Sequence, residues 1–397
     1  MATPSSLYRN AIDLNRYSNS VAKSIIGAYN NIIVDAVTQL RTIDELAAPV
    51  KAARLRAILA QLKASLATWS GSSINNLTNE LQGLALLQSE FVTDQLMRVL
   101  PAGARSIVNT VEISPQFAQS VVTTDPTQIN IVTLSDNLTA AVQGAPQTYS
   151  LTAAKGATIT LPNGEVVTKA FNGIVESQAE LFSQVVRNGL LTGETTQDIA
   201  KRLTGKLQLG QTGSVKQIAE AGGQVTIAAN NQVMTLVRTS INQVANAASQ
   251  QVYEANQDIT KKYKYTATLD TRTSAICRAL DGQEFPYGKG PTPPQHFNCR
   301  STTVPVIDYK ELGFTPPPPG RRASMDGPVP ANTTYGQWLK EQSSSVKAEV
   351  LGKEKVRYFD LLSEKYGPQK ALAKLVSTDG SELTLDQLRK RYGASDS

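Results

Sequence analysis

The two cysteines of the chain and its only histidine lie within one segment rich in proline and glycine, between Ile276 and Val306. His296 lies three residues before Cys299, and Cys277 lies on the other side of the proline-rich stretch. Thiolate sulfur and imidazole nitrogen are ligands of zinc, and a Cys–His pair is also a nucleophile with its base. Because a segment without a core cannot offset its own ordering entropy, we expect these side chains to hold it in one shape.

Three interpretations of this cluster stay open. The first is a structural zinc site of Cys277, His296 and Cys299, and a tetrahedral site needs a fourth ligand. That ligand would be water or one of three carboxylates: Asp270, Asp281 and Glu284. The second is a Cys–His nucleophile, which requires an acidic thiol. The third is a small core of two buried thiols and a hydrogen-bonded imidazole, which the usual burial of cysteine favours. In the third, the nearby charged residues cap turns and bind backbone: Asp270, Arg272 and Asp281.

The first 110 residues have the period of amphipathic helices. Apolar residues recur at spacings of three and four from Val21 to Leu40, from Leu55 to Leu66 and from Leu77 to Met97. The polar stretch from Ser70 to Ser73 interrupts the pattern, and Pro101 ends it. We therefore predict three helices, which form a bundle or an extended arm.

Composition changes several times in the remainder of the chain. Residues 111–172 are rich in β-branched residues, and Asn163-Gly164 between two alternating runs predicts a hairpin. Residues 173–260 return to the helical period, and Tyr263 to Leu269 alternates as a strand that leads into the Cys/His segment. Four consecutive prolines and the glycines after them predict a linker over 308–332, and 333–397 reads as a helical tail.

The expected fold is therefore α+β and mostly helical. We divide the chain into an N-terminal helical region (1–110), a β-rich insertion (111–172), an α+β domain with the Cys/His-pinned loop (173–307), the linker (308–332) and the C-terminal tail (333–397). The N-terminus has no basic region followed by an apolar run, and no apolar stretch is long enough to span a bilayer. We expect no signal peptide and no membrane association.

Two ordered stretches, LDTRTSAICRALDGQEF and PPQHFNCRSTTVPV, resemble the signature of the phage Mu F-like minor head proteins, also called phage head morphogenesis proteins. That signature joins an Asp-x-Arg-Thr element, a Cys and a Leu-Asp-Gly to a proline-rich loop that closes on His-Pro-x-Cys-Arg-Cys. The matching positions are Asp270, Arg272, Thr273, Cys277, Leu280, Asp281, Gly282, Pro294, His296, Cys299 and Arg300. The preceding helix is similar at Arg238, Thr239 and Asn242. The chain departs from the signature at Phe297, where Pro is usual, and at Ser301, where the last Cys and one candidate metal ligand are lost.

The resemblance implies a minor structural protein of a tailed-phage virion. It implies a role in head assembly at or near the portal vertex, with a link to DNA packaging or ejection and no catalytic step. The implied partners are the portal protein, the major capsid protein or both. The implied location is the capsid, after assembly in the host cytoplasm. It assigns residues 173–307 to a Mu F-like domain, and structural zinc is the one cofactor that its Cys/His cluster suggests.

Two other functions are weighed against this one. A phage enzyme or toxin, either a metal-dependent nuclease or a Cys-based hydrolase, would use Cys277, His296 and Cys299, but a chain with one histidine lacks most proton relays and multi-His metal sites. No Gly-Lys-Ser/Thr phosphate loop is present, which argues against an ATP-driven motor.

A DNA-binding role would use the basic C-terminal tail, although the net charge of +6 is mild and acidic residues are interspersed. No DNA-binding residue is assigned, and the basic side chains of the tail that could neutralise phosphates are Lys353, Lys355, Arg357, Lys365, Lys370, Lys374, Arg389, Lys390 and Arg391.

Overall fold

The computed structural model describes residues 5–44, 46–113, 117, 122, 130–131, 148–151, 153–155, 161–210, 217, 220–318 and 320–393. Long helices dominate these residues, and the sheets are small. The prediction of a mostly helical α+β protein is confirmed.

A helical bundle forms the larger part of the molecule. It consists of α1 (Ser5–Arg41), α2 (Ala48–Val99), α3 (Val167–Leu191), α4 (Thr196–Thr204) and α5 (Gln224–Glu254). Helix α5 packs against α1, α2 and α3 and is therefore buried on most sides. Its many Ala, Ser, Thr and Asn side chains suit this position, because small residues let neighbouring helices approach closely. The N-terminal helices belong to this bundle and do not form a separate arm.

The predicted break at Ser70–Ser73 is wrong, because α2 continues through it without interruption. Ser70 and Ser73 are buried, and the Ser70 hydroxyl lies 3.3 Å from Oδ1 of Asn172 on α3. The serines thus lie on a packed face of the helix, where small polar side chains admit the neighbouring helix. The end of α2 at Val99 agrees with the stop signal of Pro101.

The predicted hairpin at Asn163-Gly164 is also wrong. Gly164 has a positive φ of 78°, and Oδ1 of Asn163 accepts a hydrogen bond from the Glu165 N–H, so a turn does form. The chain then enters α3 at Val167 and buries Val167 and Phe171 in the bundle core. The sequence after the turn fits a helical face as well as a strand, and burial in the bundle decides between them.

Short strands precede α3. They are β1 (Thr110–Ile113), β2 (Asn130–Ile131), β3 (Thr148–Leu151) and β4 (Ala153–Lys155). β1 pairs parallel with β3, and β2 pairs antiparallel with β4. Most of the predicted β-rich insertion lies outside the described residues.

A three-stranded antiparallel sheet carries the Cys/His segment. β5 (Thr260–Thr266) is its central strand and lies between β6 (Glu284–Pro286) and β7 (Thr302–Ile307). The short helix α6 (Ala275–Leu280) connects β5 to β6 and contains Cys277. The loop from β6 to β7 contains His296 and ends at Cys299, just before β7.

The segment predicted as a linker is partly a folded hairpin, and this corrects the prediction for 308–332. β8 (Arg321–Ser324) pairs antiparallel with β9 (Gly327–Pro330), and the side chain of Arg322 is buried. The hairpin leads into α7 (Tyr335–Lys340), α8 (Ser344–Leu351), α9 (Lys353–Tyr366), α10 (Pro368–Lys374) and α11 (Leu385–Tyr392). These helices share a second apolar core, to which Leu269 also belongs, so the tail packs onto the sheet domain.

Candidate functional site

Side-chain amides on α5 position strand β7. Nδ2 of Asn242 donates to the carbonyl of Ser301 at 3.1 Å, and Nε2 of Gln250 donates to the Thr303 hydroxyl at 2.8 Å. The hydroxyl of Thr239 accepts a hydrogen bond from the N–H of Asn298 at 3.0 Å. These polar groups are satisfied inside the protein, as burial requires. Thr239 and Asn242, which the resemblance singles out, thus fix the end of the loop that carries Cys299.

The two cysteines and the histidine come together in one cluster. The sulfur atoms of Cys277 and Cys299 are 3.7 Å apart, and Sγ of Cys277 lies 3.3 Å from Nε2 of His296. All three ligand atoms lie within 4.8 Å of one another. Cys277 is 1% exposed and Cys299 is 3% exposed, whereas His296 is partly exposed. The structure thus brings the three side chains together, as the sequence analysis expected.

The imidazole of His296 is held at both nitrogens. Nδ1 lies 2.8 Å from the carbonyl oxygen of Phe297, and because a carbonyl only accepts, Nδ1 carries the proton. The lone pair of Nε2 therefore faces Cys277 and the hydroxyl of Ser274, which is 2.7 Å away. Ser274 was not singled out from the sequence, since serine is not a usual ligand type.

The charges of the cluster are unequally distributed. Hydrogen bonding to Cys299 and burial raise the pKa of Cys277. A hydrogen bond from Cys277 lowers the pKa of Cys299 more than burial raises it, and the imidazole of His296 adds to the lowering. The interaction with Cys299 in turn raises the pKa of His296. Of the two thiols, Cys299 is therefore the one that loses its proton more readily.

Asp270 and Arg300 form a separate ion pair. Nη2 of Arg300 lies 2.9 Å from Oδ1 of Asp270, and Nη1 contacts the other oxygen, so the pair is bidentate. Thr273 donates to the same carboxylate, and Arg272 lies 3.8 Å from it with its side chain 77% exposed. Asp270 therefore orders the start of the Cys/His segment.

Asp281 and Arg322 form the most buried ion pair of the described residues. The Asp281 carboxylate accepts from both Nη atoms of Arg322, at 3.0 and 3.1 Å. It also accepts from the backbone N–H groups of Ala267 and Tyr335, at 2.7 and 2.6 Å. Gly282 follows with φ of 79°, and an added Cβ would lie 2.9 Å from Cγ2 of Thr334. Arg322 was missed in the sequence, because it lies in the segment interpreted as a linker.

The carboxylates considered as fourth ligands do not join the cysteines. Asp270 and Asp281 are engaged by arginines, and the Cys/His cluster found among the described residues contains no carboxylate. Arg238 lies elsewhere too: its Nε donates to Oδ1 of Asn19 on α1 at 2.9 Å. Burial and the nearby positive charges of Arg272 and Arg300 lower the pKa of Arg238.

A cavity of about 310 Å³ lies beside two of these arginines, and its walls include Asp270, Arg272 and Arg300.

The fold and site define a mostly helical α+β protein in which a Cys/His-pinned loop is mounted on a helical bundle. A family model described as phage Mu protein F like protein matches residues 180–304. The resemblance of the sequence to the Mu F-like phage proteins is confirmed over this segment. The matched residues include the α5 amides, the Cys/His cluster and the Asp270–Arg300 pair.

Two further comparisons bear on the chain. A protein of Haemophilus influenzae that is described as uncharacterized is 26% identical over 155 residues, which are 38% of this chain and 32% of that protein. The chain thus matches about a third of the length of this relative. No solved structure matches the chain. Among the described residues, no helix is both long and apolar enough to cross a membrane.

Proposed function

We propose that the protein is a minor structural component of a tailed-phage head and acts in head assembly. The observation that carries the proposal is the family match over residues 180–304. Asp270, Arg300 and Thr239 make hydrogen bonds within the fold, which agrees with a structural use of the motif. The partners would be the portal protein, the major capsid protein or both, at or near the portal vertex.

The test uses the phage that encodes the chain. A nonsense mutation in its gene should lower the yield of infectious particles, and complementation by the wild-type chain should restore it. Mass spectrometry of washed heads should detect the chain in few copies, and crosslinking in those heads should link it to portal or capsid protein. Normal particle yield without the chain, together with its absence from washed heads, would contradict the proposal.

A phage enzyme is the second candidate, and the lowered pKa of Cys299, whose thiol lies near His296, favours it. The burial of Cys299 argues against an enzyme, because a substrate atom would have to reach the sulfur of a residue that is only 3% exposed. The assay compares wild type with Cys299→Ala on DNA, on RNA and on peptide and ester substrates. Turnover that disappears in Cys299→Ala while the fold is retained would favour the enzyme. Equal background with both proteins is the result that we expect.

We also propose contact between the C-terminal helices and packaged DNA as a secondary role. Several basic residues there are already paired, including Lys355 with Glu382 and Arg389 with Asp386, so the attraction should be weak. Binding of the full chain to duplex DNA should weaken as salt rises from about 50 to about 200 mM. Exchange of Lys390 and Arg391 for Gln should reduce the salt dependence, and exchange of Lys23 on α1 is the control. Salt-independent binding would contradict this role.

A further inference from the structure

We propose that Cys277, His296 and Cys299 bind one zinc ion, with Ser274 or a water molecule at the fourth position. The proposal concerns the loop itself and does not depend on the role in head assembly. Three observations carry it: the spacing of the ligand atoms, the orientation of the imidazole, and the polar group at the open position.

The spacing of the ligand atoms matches a tetrahedral zinc site. Zinc–sulfur bonds of about 2.3 Å and zinc–nitrogen bonds of about 2.0 Å place two sulfurs about 3.8 Å apart, and sulfur about 3.5 Å from nitrogen. The observed separations are 3.7 Å between the sulfurs and 3.3 Å between Sγ of Cys277 and Nε2 of His296. Little movement would therefore be needed to admit the ion.

The imidazole is oriented as in zinc proteins. A zinc-bound histidine almost always donates its other ring N–H to a carbonyl or carboxylate, which fixes the tautomer. His296 does this with Nδ1 and the carbonyl of Phe297, at 2.8 Å, and leaves the lone pair of Nε2 directed at the cysteines. The backbone N–H of Ser301 also bonds to Cys299, an interaction typical of metal-bound thiolates.

The fourth position is open to oxygen. The Ser274 hydroxyl lies 2.7 Å from Nε2 of His296, at the edge of the cluster, and His296 itself is partly exposed. Asp270 and Asp281 are held by arginines and cannot reach the site without breaking those pairs. Three protein ligands with a hydroxyl or water suit zinc better than Mg²⁺ or Ca²⁺, which require oxygen ligands.

Such an ion would fasten the loop to the sheet. Cys277 lies on α6, between β5 and β6, and Cys299 lies in the loop between β6 and β7, so the metal would join the connections on the two sides of β6. Because the ligands are brought together only in the folded chain, binding free energy adds to folding stability.

The test uses the full reduced chain, stripped with a chelator and dialysed against reductant. Zinc should bind at one ion per chain and raise Tm by at least about 5 °C in excess zinc. Cobalt, used as a spectroscopic substitute, should give a sulfur-to-metal charge-transfer band and the strong visible bands of a tetrahedral site. Cys299→Ser should weaken zinc binding at least about 100-fold, and His296→Asn at least about 10-fold.

Two controls separate ligands from neighbours. Glu284→Gln should leave zinc affinity within about twofold, because Glu284 is absent from the cluster. Ser274→Ala should weaken affinity by less than about tenfold, since water takes the hydroxyl's place. If the cysteine variants fail to fold, the cobalt spectrum and the zinc-dependent Tm of the wild-type chain still show whether the cluster binds zinc. A folded, reduced wild-type chain without a charge-transfer band and without a zinc-dependent Tm overturns the proposal, as does unchanged affinity in Cys299→Ser.

Discussion

The carboxylate of Asp281 is fully buried and receives four hydrogen bonds, two from Arg322 and two from backbone N–H groups. A buried pair of this kind is not by itself a large source of stability, because both ions lose their hydration. Removal of one partner is different, since the other charge stays buried without compensation. The pair therefore specifies how β8 and the start of α7 join the sheet domain.

Asp281→Asn should lower the free energy of unfolding by about 3–5 kcal/mol, because it leaves the Arg322 guanidinium buried without a counter-charge. Urea unfolding followed by circular dichroism measures the loss. The matched control is Asp13→Asn, which removes an exposed carboxylate near Arg9 and Arg16 and should change stability by less than about 0.5 kcal/mol. Equal effects of the two substitutions would contradict a structural role for Asp281.

Asp270 makes stability depend on acid pH. Burial raises the pKa of Asp270, but the hydrogen bonds and charge of Arg300 outweigh it, so the pKa lies below its usual value. A carboxyl with a lowered pKa stabilises the fold above its unfolded value of about 3.9, and the contribution is lost as pH falls through the folded pKa. The stability advantage of wild type over Asp270→Asn should therefore shrink as pH falls from about 5 to about 2. Urea unfolding at each pH measures this difference in the free energy of unfolding. A difference that is constant over the range would show that the ionisation of Asp270 is not coupled to folding.

At the scale of elements, aromatic packing joins the bundle helices. The ring of Trp69 on α2 lies 5.2 Å from Tyr29 on α1 and 5.6 Å from Phe171 on α3, between ring centroids. Its Nε1 donates to the carbonyl of Ile25 at 3.0 Å. The same helix passes Ser70 against α3. This turn of α2 thus contacts both α1 and α3. These contacts explain why the helix continues through Ser70–Ser73 instead of ending there.

Trp69→Ala should lower the free energy of unfolding by about 3–5 kcal/mol, since it leaves a cavity and removes two ring contacts. Trp69→Phe should cost less, because most of the apolar volume is retained. Thermal and urea unfolding measure both losses, with exposed Thr68→Ala as the control. A loss in Trp69→Ala no greater than in Thr68→Ala would show that α2 does not pack through this turn.

At the scale of the whole molecule, the C-terminal helices are part of the domain that holds the cysteines. Arg278 on α6 is 5% exposed, and its Nη1 donates to the carbonyl of Val350 at 2.6 Å. Gln369 on α10 donates to the carbonyl of Arg278 at 2.8 Å, and the Tyr335 hydroxyl donates to the carbonyl of Asp270 at 2.6 Å. These contacts surround the short helix that carries Cys277.

A chain truncated after residue 332 should expose the cysteines. The truncation removes the partners of Arg278 and one donor to Asp281, so α6 should open more often. Labelling of Cys277 and Cys299 by a thiol reagent, in the presence of a chelator, should accelerate at least about tenfold. A chain that ends at Gly393 keeps these contacts and should label like wild type. Unchanged labelling after truncation at 332 would mean that the tail is an independent appendage.

Much of the fold was predictable where the signal is local. The apolar period predicted helices before and after the insertion, and alternation from Tyr263 predicted β5. Local signals failed where two structures bury the same residues equally well. Ser70–Ser73 resembled a break and is a packing face, and the residues after Gly164 resembled a strand and form α3. In both places, packing against neighbouring helices determines the secondary structure.

By itself the sequence determined which side chains to expect together at the loop, because cysteine and histidine are so rare in this chain that their grouping between Cys277 and Cys299 was conspicuous. The tertiary structure alone decided which oxygen stands beside them and which arginines neutralise the nearby carboxylates. Arg322 reaches Asp281 and Ser274 reaches His296 through pairing of strands and packing of helices. Such contacts depend on distances between elements, and spacing along the chain does not encode them.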